Sequence, residues 1–436
     1  MQKKIVALAV TIVCASAMPA IAQAQSASKV ELWGIVDAAV RHTNNEGKDQ
    51  KGLTKMLGGG MSQSRWGIKV EEDLGGGSKA VAELENRLNA DDGSVSTPFF
   101  QLAYVGLQGP YGRLTMGRQW NVLFDVVTST YASFPYSPYM EAYKPELGMA
   151  AGARSSNTLK YTLATPTRSW VGTLQYSFAE GNNTSALESG ALSAASTAAN
   201  GVIAGGGTPA AAAGAAAAAA LGYVGSAAGQ TQASSAATGA LKQVGGFLRY
   251  SANGVSIGGG GLRTKLPGGS DLDAWTFGGS YRTGPLYVNL GYGLNKFKMQ
   301  KAGAADLGGI IRNTVDTAVL NGLWGSSVAG SPNGGFQAGD ANKRQMVKVG
   351  FGYQITPQVN AGMHYFHAKQ SGGASGLYNG KANFMVAAVD YAFSKRTDAY
   401  FAVDHTRLSG GAAMALDSAS GARNRTGITA GLRHRF

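Results

Sequence analysis

Apolar and polar residues alternate with a period of two along most of the chain. The clearest runs are KVELWGIVDAAVRH, SRWGIKVEEDL, AYVGLQG, RSWVGTLQYSF, LDAWTFGGSYR, LYVNLGYGLNKFKM, KRQMVKVGFGYQI, KANFMVAAVDYAF, TDAYFAVDHTRL and RNRTGITAGLRHRF. A period of two sends successive side chains to opposite faces, so each run predicts a strand with one apolar face. The connections sort into two kinds. Tight turns fall at residues 75–78, 109–112, 165–168, 252–254, 283–285, 356–358 and 394–397, and longer polar stretches alternate with them strictly.

That alternation predicts sixteen antiparallel strands with both chain ends on the short-turn side. A soluble sandwich has no reason to sort its loops by length. A transmembrane β-barrel does, because its short turns face the periplasm and its long loops face outwards. Backbone groups in hydrocarbon need internal partners, so the first strand must pair with the last. The final stretch, GITAGLRHRF, then places Ile428, Ala430, Leu432 and Phe436 towards lipid and Thr429, Arg433 and Arg435 towards the lumen.

Composition narrows the class further. Lys3 and Lys4, the apolar run IVALAVTIV and the small-residue site Ala22-Gln23-Ala24 predict a signal peptide over residues 1–24, with the barrel over 25–436. Cleavage there removes the only cysteine, Cys14, which suits an exported protein of a diderm bacterium without disulfides. No later segment approaches the roughly 20 apolar residues of a spanning helix. The formal charge of +13, or +11 without Lys3 and Lys4, suggests anionic solutes or membranes, and export sets nucleic acid aside.

The longest loops span residues 119–153, 181–239 and 301–342. The second is an Ala/Gly/Ser-rich insertion whose only charge is Glu188, with a short helix predicted near Pro209 to Leu221. As a lumen charge on the third strand, Glu85 stands opposite Leu84 and Leu88 in parity and is placed to pair with Arg65. Lys69 shares the parity of Arg65, and Arg423, Arg425, Arg433 and Arg435 share one face of the last strand. Four like charges on one strand are tolerable where water screens them, which favours an open lumen.

Several segments, in order, resemble the general trimeric porins of Gram-negative outer membranes, in their beta-proteobacterial branch. They are VELWGIVDAAV, SQSRWGIKVEEDLGGGSKAVAELE, AYVGLQGPYGRLTMGRQW, ARSSNTLKY and the last strand ending in Phe. The resemblance implies a homotrimer set in outer-membrane lipid and lipopolysaccharide, passing small hydrophilic solutes with a modest preference for anions. It also implies a third loop folded into the barrel, its carboxylates facing basic residues of the wall. Arg65 matches the SR-aromatic-G motif of the constriction. Arg118 in MGRQW and Arg154 before Asn157 match arginines flanking that loop, at either the constriction or the mouth. Gln101 stands where many relatives carry an arginine. The loop supplies Asp125, Glu141 and Glu146, with Lys144 a substitute wall cation, and Phe436 resembles the family's membrane-insertion signal.

Enzymatic readings find little support. His364 and His367 fall on opposite strand faces, and neither a Gly-x-Ser-x-Gly elbow nor a phosphate-binding loop is present, so no cofactor is expected. The alternatives to a general channel are a substrate-specific channel for an anionic nutrient, suggested by the aromatics of TSTYASFPYSPYMEAY, and a surface adhesin or coat barrel, suggested by the neutral loop at 181–239.

Overall fold

The computed structural model describes residues 28–46, 51–133, 145–179, 185–226, 229, 241–300, 308–309, 311–312, 315–316, 319–320, 341–373, 376–412, 414–416 and 421–436. The predicted signal peptide, Glu141 and Lys144 lie outside them. Strands β1 (Lys29–Glu46), β2 (Lys51–Leu57), β3 (Arg65–Gly75), β4 (Ser78–Leu88), β5 (Val95–Gly109) and β6 (Gly112–Trp120) lead to helices α1 (Val122–Thr130) and α2 (Pro145–Met149). Strands β7 (Arg154–Ala164) and β8 (Trp170–Ser177) are followed by helices α3 (Ser185–Ala204) and α4 (Pro209–Gly225). The remaining strands are β9 (Lys242–Ala252), β10 (Val255–Lys265), β11 (Asp271–Thr283), β12 (Leu286–Lys298), β13 (Lys343–Gln354), β14 (Val359–Ser371), β15 (Gly380–Ala392), β16 (Thr397–Gly410) and β17 (Asn424–Arg435).

All strands join one antiparallel sheet, which closes where β17 returns to β1 with Ile35 opposite Arg435 and Thr43 opposite Gly427. Phe436 completes the seam, exchanging backbone hydrogen bonds of 3.1 Å each way with Gly34. Both β2 and β3 pair with β1. The first covers Ala39 to Glu46 and the second Lys29 to Ile35, so together they fill one position and the barrel has the sixteen expected from the sequence. Between them, residues 58–64 leave the wall. Their backbone N–H groups at Gly60, Met61 and Ser62 wrap the buried Asp37 carboxylate at 3.0, 3.3 and 2.7 Å, and Tyr400 donates to it at 2.5 Å. All seven predicted turns fall between consecutive strands.

Burial is inverted relative to a soluble protein, as a lipid solvent requires. On β17, Ile428 and Leu432 are exposed while Thr429 and Arg433 are buried, and on β11 Trp275 and Phe277 face out while Thr276 faces in. The lumen is filled on one side by helices α1 and α2 of the loop between β6 and β7. Helix α1 begins at Asn121, whose side chain accepts from the Phe124 N–H at 2.8 Å and donates to the carbonyls of Ala150 and Gly152, tying the two ends of the loop together. From there α1 and α2 lie against β8 to β12.

That wall is hollowed for them. A Cβ on Gly258 would meet Val126 at 3.0 Å, and one on Gly278 or Gly291 would meet the Tyr131 ring at 2.5 or 2.6 Å. Hydrogen bonds fix the position: Ser280 donates to the Thr130 carbonyl, Tyr287 to that of Ala132 and Asn295 to that of Gly148. The inward third loop is thus a packed part of the barrel.

Between β8 and β9, the described part of the alanine-rich insertion forms two helices and packs into the same apolar cluster as the inward loop. The predicted helix appears as α4, and α3 joins it as an unpredicted partner. Leu187, Ala191 and Ala195 of α3 and Ala212, Ala216, Ala220 and Val224 of α4 are buried at four-residue spacing, and all but Ala212 belong to one apolar cluster. The small side chains let two helices approach closely, which stabilises segments whose own helical signal is weak.

Candidate channel constriction

Beside the start of α1, strands β3, β4 and β7 bring charges together. Glu85 is 2 % exposed and lies 2.9 Å from Arg154, 3.6 Å from Arg87 and 3.7 Å from Arg65. Parity explains the convergence: Glu83, Glu85 and Arg87 share the lumen face of β4, and Arg65 lies opposite Arg87 in the ladder. Arg87 also donates to Gln63 of the inward segment 58–64.

Trp120 couples this cluster to the helix. The Arg154 guanidinium sits 3.8 Å from its ring centroid, and the ring stacks on Phe124 of α1 at 4.5 Å with 22° between planes. A cation held over an indole face gains from the ring's quadrupole, and the planar guanidinium suits that position better than an ammonium. Wall cations and inward helix are therefore positioned by one shared side chain.

The other candidates separate into distinct places. Arg118 donates to Ser156 at 2.7 Å, and Gln101 turns back on the Pro98 carbonyl at 2.6 Å. Asp125, on α1, pairs with Lys160 of β7 at 2.7 Å. Glu146, on α2, faces away from open lumen water, in a closed contact with Lys348. Burial alone would raise its carboxyl, but the Lys348 ammonium and the Ser133 hydroxyl outweigh this and hold it below its ordinary value. Lys69 is more exposed, above the Trp33 ring at 4.7 Å and 3.8 Å from Glu83.

Of the four arginines grouped on the last strand by parity, Arg423 lies just before β17, Arg433 is buried, and Arg423, Arg425 and Arg435 are partly exposed, each with a partner. Arg433 pairs with Asp398 at 3.0 Å, and Arg435 reaches the same carboxylate at 2.5 Å beside the short turn at 394–397. Arg423 donates to the carbonyls of Gly410 and Gly411, and Arg425 to that of Asn45. Buried charges are held by specific partners because desolvation is costly without them. Phe436 lies at the seam, its ring over Gly34 and its outer face exposed.

Arg87 and Lys348 were not singled out from the sequence. Arg87 was within reach, since it shares the parity of Glu85 two residues away. Lys348 was not, because its partner comes from a loop on the far side of the chain.

A closed antiparallel barrel with an outward apolar surface, a charged lumen and an inward-folded loop defines an outer-membrane β-barrel of the channel-forming type. The chain belongs to the Gram-negative porin family, whose sequence profile matches residues 7–411. It is similar to outer membrane porin protein 32 of Delftia acidovorans, 33% identical over 169 residues, a segment covering 37% of this chain and 45% of that relative. The matched segment thus spans less than half the relative's length. In structure it resembles the anion-selective porin from Comamonas acidovorans, with a TM-score of 0.61, 19% identity and coverage of 94% of this chain and 100% of that one. It also resembles the in-vitro folded, trimeric form of OmpT from Vibrio cholerae, with a TM-score of 0.58, 12% identity and coverage of 94% and 100%.

Proposed function

We propose that the protein is one protomer of a homotrimeric outer-membrane channel through which small hydrophilic solutes diffuse passively, with a modest preference for anions. The observation that carries this reading is the arrangement of Arg65, Arg87 and Arg154 around Glu85, beside the start of a helix packed into the lumen. At such a narrowing a solute loses part of its hydration, and the sign of the local potential sets its entry cost. Among the described residues, three guanidiniums around one carboxylate favour anions, while Glu85 keeps that preference modest. A trimer is supported by the family and by the trimeric form of the similar OmpT. Outer-membrane lipid and lipopolysaccharide would surround the exposed apolar wall.

Purified protein in a planar bilayer under a KCl gradient tests the reading. Discrete conductance steps with a reversal potential favouring chloride support it, and Arg65→Ser should move that potential towards potassium. Correctly folded protein that gives no steps would overturn the channel reading. Unaltered selectivity in the Arg65 variant would remove that residue from the filter.

A further inference from the structure

On the short-turn side of α1, the lumen forms a side cavity of about 550 Å³, bounded by the wall from β5 to β9 and by Asp125, Thr128 and Ser129 of the helix. Its lining includes Arg113, Lys160, Arg168 and Arg249. The carboxylates and hydroxyls that meet these cations are unevenly distributed. Lys160 is engaged by Asp125, and Arg113 donates to Tyr104 at 3.0 Å, whose hydroxyl in turn donates to Glu83 at 2.6 Å. Arg249 reaches the Ser129 carbonyl at 3.3 Å, and neither Arg249 nor Arg168 meets a carboxylate among the described residues.

Two further features belong to this corner. The Nε–H groups of Arg113 and Arg249 are buried with no hydrogen-bond partner among the described residues, and an unsatisfied buried donor costs about 1–3 kcal/mol. Arg168 sits in the turn after β7 with φ at 55°, a conformation that costs a residue with a Cβ about 1–2 kcal/mol and that glycine would adopt freely. The arginine kept there lines the same cavity as Arg249. Beside them, Phe247, Val171 and Pro166 supply apolar surface.

We propose that this cavity is a binding subsite for a small organic anion, its carboxylate held by Arg168 and Arg249 and its apolar body lying against Phe247 and Val171. A planar carboxylate accepts two parallel N–H bonds from a guanidinium fork and supplies the negative charge that these two cations lack among the described residues. The cavity's size falls within the range of small-molecule sites, and its lining sets cations beside the apolar surface of Phe247 and Val171. The subsite rests on the channel reading, because a solute reaches it through the lumen.

Calorimetric titration of benzoate into the detergent-solubilised protein tests it, with Arg168→Asn/Arg249→Gln as the comparison and circular dichroism as the check on folding. Asparagine tolerates the left-handed turn position, so the double variant keeps its backbone. Benzoate should bind the native protein, the variant should lose about tenfold or more in affinity, and neutral benzamide should not bind. Equal affinity in both proteins, benzamide binding as tightly as benzoate, or no benzoate binding at all overturns the subsite. Conductance steps separate the two readings: absent steps bring down the channel itself, whereas steps without benzoate binding bring down the subsite alone.

Discussion

Glu146 of the inward loop and Lys348 of the facing wall meet at 2.9 Å, with side chains 3% and 0% exposed. Ser133 joins them, donating to the carboxylate and accepting from the ammonium at 3.2 Å. In such a contact the Coulomb attraction is largely offset by the cost of stripping water from both ions. The consequence is positional: the loop docks where both charges are satisfied, and any other placement leaves one of them buried alone.

Removing one partner should therefore do more harm than removing both. Glu146→Gln or Lys348→Met should each weaken docking of the loop by about 3–5 kcal/mol, and the double variant by much less. Hydrogen exchange of the α1 amides reads this directly. The pH dependence has a definite sign. With the Glu146 carboxyl held below its ordinary value of 4.5 when docked, the contribution is full above that value and lost as pH falls through the lower, docked one. Protection corrected for intrinsic exchange should stay level from about pH 7 to about pH 5 and fall only in stronger acid. A fall beginning near neutrality would show that another group controls the loop.

Hollowing of the wall beneath the loop gives a second test. Valine at Gly291 would place methyl groups where the Tyr131 ring now lies, and overpacking of this kind costs about 1–3 kcal/mol. Because the sheet cannot retreat without breaking its ladder, the helix should shift into the lumen. Step conductance should drop while the barrel stays folded. Gly172→Ala serves as the control, since a Cβ there meets Leu248 at an ordinary 3.7 Å. If Gly291→Val conducts like the native protein, α1 does not narrow the passage.

Much of this was legible in the sequence because a barrel writes its fold locally. Strand faces follow from parity, so Leu84 and Glu85 or Leu432 and Arg433 could be assigned to opposite sides without a structure. Turn positions follow from Gly, Pro, Ser and Asn placed at loop length. What the pattern does not encode is how the ends of loops find the wall. The pairing of Glu146 with Lys348 joins residues far apart in the chain, and no periodicity links them. The inward excursion at 58–64 is similarly hidden, because GGGMSQS reads as an ordinary loop until the backbone N–H groups are seen around Asp37. In α3, the Ser, Thr, Asn and Gly residues dilute the helical signal, and only packing against α4 restores it.

Charge at the wall cluster can be altered from the acidic side as well as the basic one. Glu85→Gln removes a negative charge from among Arg65, Arg87 and Arg154 while keeping the shape of the side chain. A unit charge acting through water at about 4 Å changes an ion's energy by about 1 kcal/mol, or about fivefold in a permeability ratio. The reversal potential should move towards chloride by an amount of that order, and the effect should shrink in concentrated salt. A shift towards potassium would mean that Glu85 acts chiefly by holding the arginines in place.

The helical insertion poses the remaining question, whether α3 and α4 belong to the folding unit or decorate it. Closure of the sheet runs through β1 and β17, and no strand pairing depends on the residues between β8 and β9. Joining the two strands by a shorter loop carries a small entropic change, since loop closure depends only weakly on length. Deleting residues 185–226 should therefore remove the helical component of the circular dichroism spectrum and leave the strand component and thermal resistance of the barrel. A point substitution separates the hairpin from the loop that carries it. A Cβ on Gly190 would fall 2.3 Å from the Tyr223 ring, so Gly190→Val should part the two helices without shortening the chain. If both changes leave a stable barrel, the insertion is an accessory to the extracellular mouth, and any difference in step conductance measures how far it overhangs. Failure of the deletion variant to fold, with Gly190→Val folded, would show that the loop's length matters to closure. Failure of both would make the buried alanine face part of the barrel's own core.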